Sequence, residues 1–240
     1  AEPLARALAE IQRTLAFTQG FDPVTSTTAF TLGLSDHPTF VLLPRLLDLL
    51  REQAPGITLR VRNFSDRDAA TSMLDAGEVD LTIGVPPAPV GRILNRPLFE
   101  ERFVCILRKG HPAAERLDLD TFLSLSHVLV SPENDRFGLV DAALAKMGLK
   151  RRLALTLPHM YAAPALVAAS DMVATVMAGV VAASGQAGRL AVRPTPLDLG
   201  SVAFSLSWHR RNDVHPAQYW LRDSIASLYS KEPKLAERPR

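Results

Sequence analysis

One cysteine, Cys105, stands among 240 residues. That excludes an internal disulfide framework and any zinc site built from several thiolates, and it fits a reducing compartment. An excess of charge of either sign is missing too. The 27 Lys and Arg against 25 Asp and Glu leave a formal +2, too little to hold nucleic acid by bulk electrostatics. No apolar run reaches the roughly 18–20 residues that span a bilayer; the longest stretch of that kind, Met172 to Ser184, contains Gly179. The N-terminus lacks the basic, apolar, small-residue order of a secretory signal. A cytoplasmic protein with no membrane partner is the expectation. Because it starts at Ala1 without a methionine, the chain reads as a fragment.

Catalytic signatures are missing as well. There is no G-x-S-x-G elbow, H-E-x-x-H, G-x-G-x-x-G or Walker loop. His37, His111, His127, His159, His209 and His215 are scattered, without the i,i+4 pair that would hold a metal on a helix. Cys105 lies inside an apolar strand pattern and reads as a small buried hydrophobe. No pair of acids stands out for acid–base work. No enzymatic activity, metal or cofactor is expected.

What is present is ordinary globular composition, 47% apolar and 22% charged, at a length that fits one large domain or two small lobes. Leu4, Leu8, Ile11 and Leu15 form one stripe of an amphipathic helix over Glu2 to Gln19. Gly20, Asp22 and Pro23 stop it, and Thr25 to Thr28 reads as a linker. From Phe30 the pattern alternates. Strands are expected at Phe30 to Leu34, Ile57 to Phe64 and Val79 to Val85. Helices are expected at Thr39 to Gln53 and Arg67 to Asp75, the second capped by Ser65 or Asp66 and ended by Gly77. After Pro86-Pro87-Ala88-Pro89 comes the strand Phe103 to Leu107, then a second alternation. Its strands are Val128 to Val130, Leu153 to Leu157, Met172 to Val176, Leu190 to Arg193 and Val202 to Trp208. Its helices are Arg136 to Met147 and Tyr161 to Ala169, and an amphipathic helix at His215 to Tyr229 closes the chain. Strands alternating with covering helices are the pattern of an α/β fold with parallel strands. Two lobes are expected, with the strands near Phe103 to Leu107 and Val202 to Trp208 crossing between them and a ligand cleft where the lobes meet.

Polar residues gather at strand ends. Ser35 follows the first strand, Ser131 follows Val128 to Val130, and Thr175 closes Met172 to Val176. In open α/β sheets such positions line the ligand crevice, and a helix start beside a hydroxyl can hold a carboxylate. They can equally be helix caps, worth about 1 kcal/mol each. His159, at a strand-to-helix junction, can hydrogen-bond a ligand or cap a turn. Arg108 and Lys109 can steer anions or simply face solvent.

Several segments, in order, resemble one family. FTLGLSDHPTFVLLPRLLDLLREQAPGITLRV (Phe30 to Val61), LDAGEVDLTIG (Leu74 to Gly84), LFEERFVCILRKGHPAA (Leu98 to Ala114) and SDMVATVMAGVV (Ser170 to Val181) are similar to the effector-binding domain of LysR-type transcriptional regulators. LPHMYAAPALVAASDMVATV and FSLSWHRR look closest to the branch that regulates aromatic catabolism and nodulation. The resemblance implies two Rossmann-like lobes of the type 2 periplasmic-binding-protein-like fold. It implies a homodimer or homotetramer and a small inducer, an aromatic acid such as salicylate or a phenolic, in the cleft. Residues 1–28 become the end of a linker helix, 29–107 with 208–230 lobe I, 108–207 lobe II, and 231–240 a flexible tail. The winged helix-turn-helix that precedes such a domain is absent here, so DNA is a partner only through that part. The expected effector contacts are Ser35, His37, Ser131, His159 and Thr175, with Phe204 as an apolar wall. Met177 stands where many relatives have proline, a residue that pre-organises a helix start. The alternative is a solute-binding protein of a transport system, which shares the two-lobed architecture but has no use for the amphipathic first helix.

Overall fold

The computed structural model describes residues 20–64, 66–131 and 137–230. The expected linker helix Glu2 to Gln19, the tail from residue 231, Ser65 and Arg136 therefore lie outside the described residues. The chain forms two compact units. One takes the described parts of Ala1–Gly33, Leu43–Leu98 and Ser205–Arg240; the other takes Leu34–Leu42 and Phe99–Phe204.

In the first unit, β1 (Ala29–Leu34), β2 (Thr58–Asn63) and β3 (Leu81–Gly84) stand in the order β2-β1-β3. Next to β3 comes β9 (Ser201–His209), antiparallel, with Ile83 opposite Leu206. Asp66 caps α3 (Arg67–Ala76) by accepting the Ala69 amide at 2.7 Å, and Gly77 ends it at φ 69°, a left-handed conformation that suits glycine. The acidic turn before β3 has a mechanical role. Asp80 accepts the Thr31 amide at 2.7 Å and the Gln218 side chain at 2.8 Å, joining β1 to the closing helix α8 (Pro216–Ser230). Phe30, Leu32, Leu46, Ile83, Leu221 and Ile225 are buried in this unit.

The helix expected over Thr39 to Gln53 is two helices, α1 (Asp36–Val41) and α2 (Leu43–Gln53). Pro44 has no amide to donate to the carbonyl four residues back, so the ladder breaks at Leu42. The first piece belongs to the second unit and the second to the first.

The second unit is built on β4 (Ile93–Arg108), β5 (Ser126–Val130), β6 (Arg152–Leu157) and β7 (Val173–Met177), in the order β4-β7-β5-β6. β5 runs parallel to β6 and β7, whereas β7 and β8 (Leu190–Pro194) both pair antiparallel with β4. Two apolar clusters cover the faces. Val104, Ile106, Ala174 and Val176 point to one with Val167; Cys105, Leu107 and Val173 point to the other with Phe122 and Leu144. The period-2 alternation of β4 thus feeds both. The helices are α4 (Leu119–Ser124), α5 (Leu139–Lys146), α6 (Ala163–Ala168) and α7 (Ala178–Ala183). α4 has no counterpart among the expected helices, although Asp118 caps it by accepting the Thr121 amide at 3.0 Å. The strand expected at Phe103 to Leu107 begins ten residues earlier. Its first half carries Asn95, Arg96, Pro97, Glu100 and Glu101, a polar texture that hid it. Both crossing strands pass from one unit into the other, β4 between Leu98 and Phe99 and β9 between Phe204 and Ser205.

Among the described residues no helix is long and apolar enough to cross a membrane, and no group of three or more metal-binding side chains occurs.

Candidate functional site

The second unit holds a cavity of about 220 Å³ at the carboxyl ends of the parallel strands β5 and β7. Val128, Leu129 and Val130 of β5 form one wall, Thr175, Val176 and Met177 of β7 another, with Phe103 of β4 beside them. Gly138, Leu139 and Val140, at the start of α5, close a third side, with Arg151, Met160 and Leu199 completing the lining. Glycine at 138 has a local reason. A Cβ there would sit 2.9 Å from Leu129 Cδ1, so any larger residue at the helix start would push the end of the Leu129 side chain aside.

Among the described residues the polar groups around the cavity are few. Thr175 faces Cys105 across the β4–β7 pairing, and its hydroxyl lies 3.7 Å from the thiol. Burial pushes the Cys105 thiol up to about 11, so behind Thr175 it stays neutral and unreactive at physiological pH. Arg151 donates from Nε and Nη2 to the two carboxylate oxygens of Asp141, at 2.8 and 2.7 Å, with its side chain 2% exposed. Asp141 also accepts the Gly138 amide at 2.8 Å. Burial works against the Asp141 charge, but Arg151 and the Gly138 amide outweigh it and hold its pKa below the ordinary carboxylate range.

The structure scatters the expected contacts around this space. Thr175 lines the cavity. Ser131 is buried one residue beyond Val130, its amide bonded to the Leu157 carbonyl at 2.8 Å. Ser35 precedes α1 without a side-chain cap; its carbonyl takes the Thr39 amide and hydroxyl. His37 is 2% exposed and stacks on Phe204 with centroids 4.7 Å apart, while Phe204 stacks on Phe99 at 5.0 Å. Its Nε2 lies 3.3 Å from Glu101 Oε1, within ion-pair range although not aligned as a hydrogen bond. Phe204 therefore serves as a packing partner of His37 in this structure. His159 is half exposed, 3.3 Å from Asp36 through Nδ1 and stacked on Tyr161 at 5.3 Å.

Three groups stand outside the expected contacts. Asp36 gathers both His159 and the Met160 amide, at 2.7 Å. Glu101 accepts the Gly179 amide at 3.1 Å, at the start of α7. The Asp141–Arg151 pair bridges ten residues. Asp36 belongs to the polar Ser35-Asp36 pair that ends the first expected strand, whereas nothing local marks Glu101 or Arg151.

Comparison with known proteins follows the same direction. Residues 26–229 match the family described as the LysR substrate binding domain. The activator NagR of Ralstonia sp is 33% identical over 232 residues, covering 96% of this chain and 77% of that protein. NahR of Pseudomonas putida, also an HTH-type transcriptional activator, is 31% identical over 234 residues with the same coverage. Among solved structures, the regulatory domain of MexT, a transcriptional activator in Pseudomonas aeruginosa, is similar with a TM-score of 0.73 and 32% identity. It covers 85% of this chain and 98% of that one.

Proposed function

Given that this chain belongs to the LysR substrate-binding-domain family, we propose that it senses a small aromatic inducer, a carboxylate or a phenolic, and oligomerises as part of a transcriptional regulator. The observation that carries this reading is the cavity of about 220 Å³, whose described walls are apolar side chains with Thr175 and Arg151 among them. A largely apolar pocket with few polar groups suits a single ring. Similarity to NagR and NahR, both activators, supports the regulatory half of the reading. Binding would bias one conformation of the domain over another and so alter how attached DNA-binding domains are held. Ser35, His37, Ser131, His159 and Phe204 are proposed to act at the margins of the site. Of these, His37 and His159 do so through Glu101 and Asp36.

The test is a thermal-shift titration of the chain with salicylate, benzoate, nitrobenzoates, a flavonoid and amino-acid controls. A ligand at 100 times its Kd stabilises by about 2.7 kcal/mol, a midpoint rise of roughly 5–10 °C at this chain length. The rise should vanish in Thr175→Ala. A flat response to every aromatic would remove this class of inducer. A response confined to amino acids would instead favour a solute binder.

A further inference from the structure

Arg151 stands on the cavity wall with part of its hydrogen-bonding capacity unused. Its side chain is 2% exposed, and it gives Asp141 two hydrogen bonds, one from Nε and one from Nη2. A guanidinium carries five N–H groups in a fixed fork, and Asp141 meets only one edge of it. The N–H groups of Nη1 find no acceptor among the described residues. Pairing with Asp141 balances the charge without satisfying that nitrogen, and a buried donor left without an acceptor carries a desolvation penalty.

The surroundings suit an occupant that relieves this penalty. The Arg151 charge acts on the Cys105 thiol, against the effect of burial, and that sulfur lies 3.7 Å from the Thr175 hydroxyl. The guanidinium therefore stands within electrostatic reach of the hydroxyl on the β7 wall. Phe103, Val128, Val130, Leu139 and Met177 supply an apolar lining for a ring. The two bonds to Asp141 fix the plane of the fork, so its free edge is held in one orientation. Resting on the sensor reading above, we infer that Arg151 anchors the ligand of this cavity, its Nη1 donating to an acceptor oxygen carried by the aromatic ring, of a nitro, carbonyl or carboxylate group.

Isothermal titration of the 240-residue chain with nitrobenzene and with toluene decides it. The two rings are of like size, and toluene is the more apolar, so burial alone favours toluene. Nitrobenzene should nevertheless bind at least roughly tenfold tighter, because only it brings an acceptor. The double variant Arg151→Met with Asp141→Leu exchanges the buried pair for apolar side chains, a change that such pairs tolerate. It should bind toluene at least as well as the unaltered chain and lose the preference for nitrobenzene. An unaltered chain without that preference, a comparison that needs no variant, overturns the inference and leaves the sensor reading standing; so does a double variant that retains it. Binding of neither ring, nor of salicylate, overturns both.

Discussion

Arg151 and Asp141 meet through two hydrogen bonds of 2.8 and 2.7 Å, and that pair ties the start of α5 to the chain just before β6. Asp141 needs the guanidinium because it is mostly withdrawn from water, and the guanidinium needs Asp141 for the same reason. Removing one partner strands the other. Arg151→Ala should lower unfolding stability by about 3 kcal/mol, as for other buried pairs cut on one side. Urea unfolding reads this as a lower midpoint with an unchanged slope. A loss no larger than that of an exposed pair such as Arg51–Asp48 would show that the bridge carries little.

His127 gives the fold a dependence on acid. The ring is fully buried, its Nε2 is 2.7 Å from the Phe122 carbonyl, and burial lowers its pKa from 6.5 to about 4. The unfolded chain therefore binds a proton between those values while the folded chain does not, so stability is full above pH 6.5 and falls as pH drops toward 4. At pH 5 the loss from this group is about 2 kcal/mol. His127→Leu should be less stable at pH 7.5, having lost the bond to Phe122, yet lose less on acidification. Equal pH profiles for the two proteins would assign the acid sensitivity elsewhere.

Gly179 and Glu101 are matched by space as well as by a hydrogen bond. A Cβ at 179 would lie 2.3 Å from Glu101 Oε1, so Gly179→Ala must displace the carboxylate and lose its bond to the amide. The helix preference of alanine offsets part of this cost, up to about 1 kcal/mol. The informative measurement is a double-mutant cycle with Glu101→Ala, for which a coupling of about 1 kcal/mol is expected. Additive effects would separate the two residues.

Gly138→Ala tests the closeness of α5 to β5. Its Cβ would press on Leu129, which lines the cavity, so Leu129 has to move. A stability loss of about 1 kcal/mol or more is expected, together with weaker binding of whichever aromatic the unaltered chain takes. Unchanged affinity would place the binding space away from this wall.

The element order was legible in the sequence because each element announces itself locally. Asp66 and Gly77 bracket α3 with side-chain and backbone chemistry that needs no distant partner, and the order of segments from Phe30 to Val181 carried the family resemblance. Where local signals conflict, structure and pattern part. The apolar period runs through Pro44 although proline cannot donate and the helix divides before it, and the polar first half of β4 has the texture of a loop although pairing makes it strand. The site is another matter. Whether a strand-end hydroxyl meets a cavity depends on register, and the pairing that puts Thr175 opposite Cys105 joins positions seventy residues apart. His37, Phe99 and Phe204 become one stack, and Arg151 finds Asp141, only after chain closure has brought those positions together. Side-chain chemistry and short-range propensity fixed what each segment would become. Long-range packing alone decided which carboxylates were spent inside the protein and which strand-end hydroxyl reached the cavity.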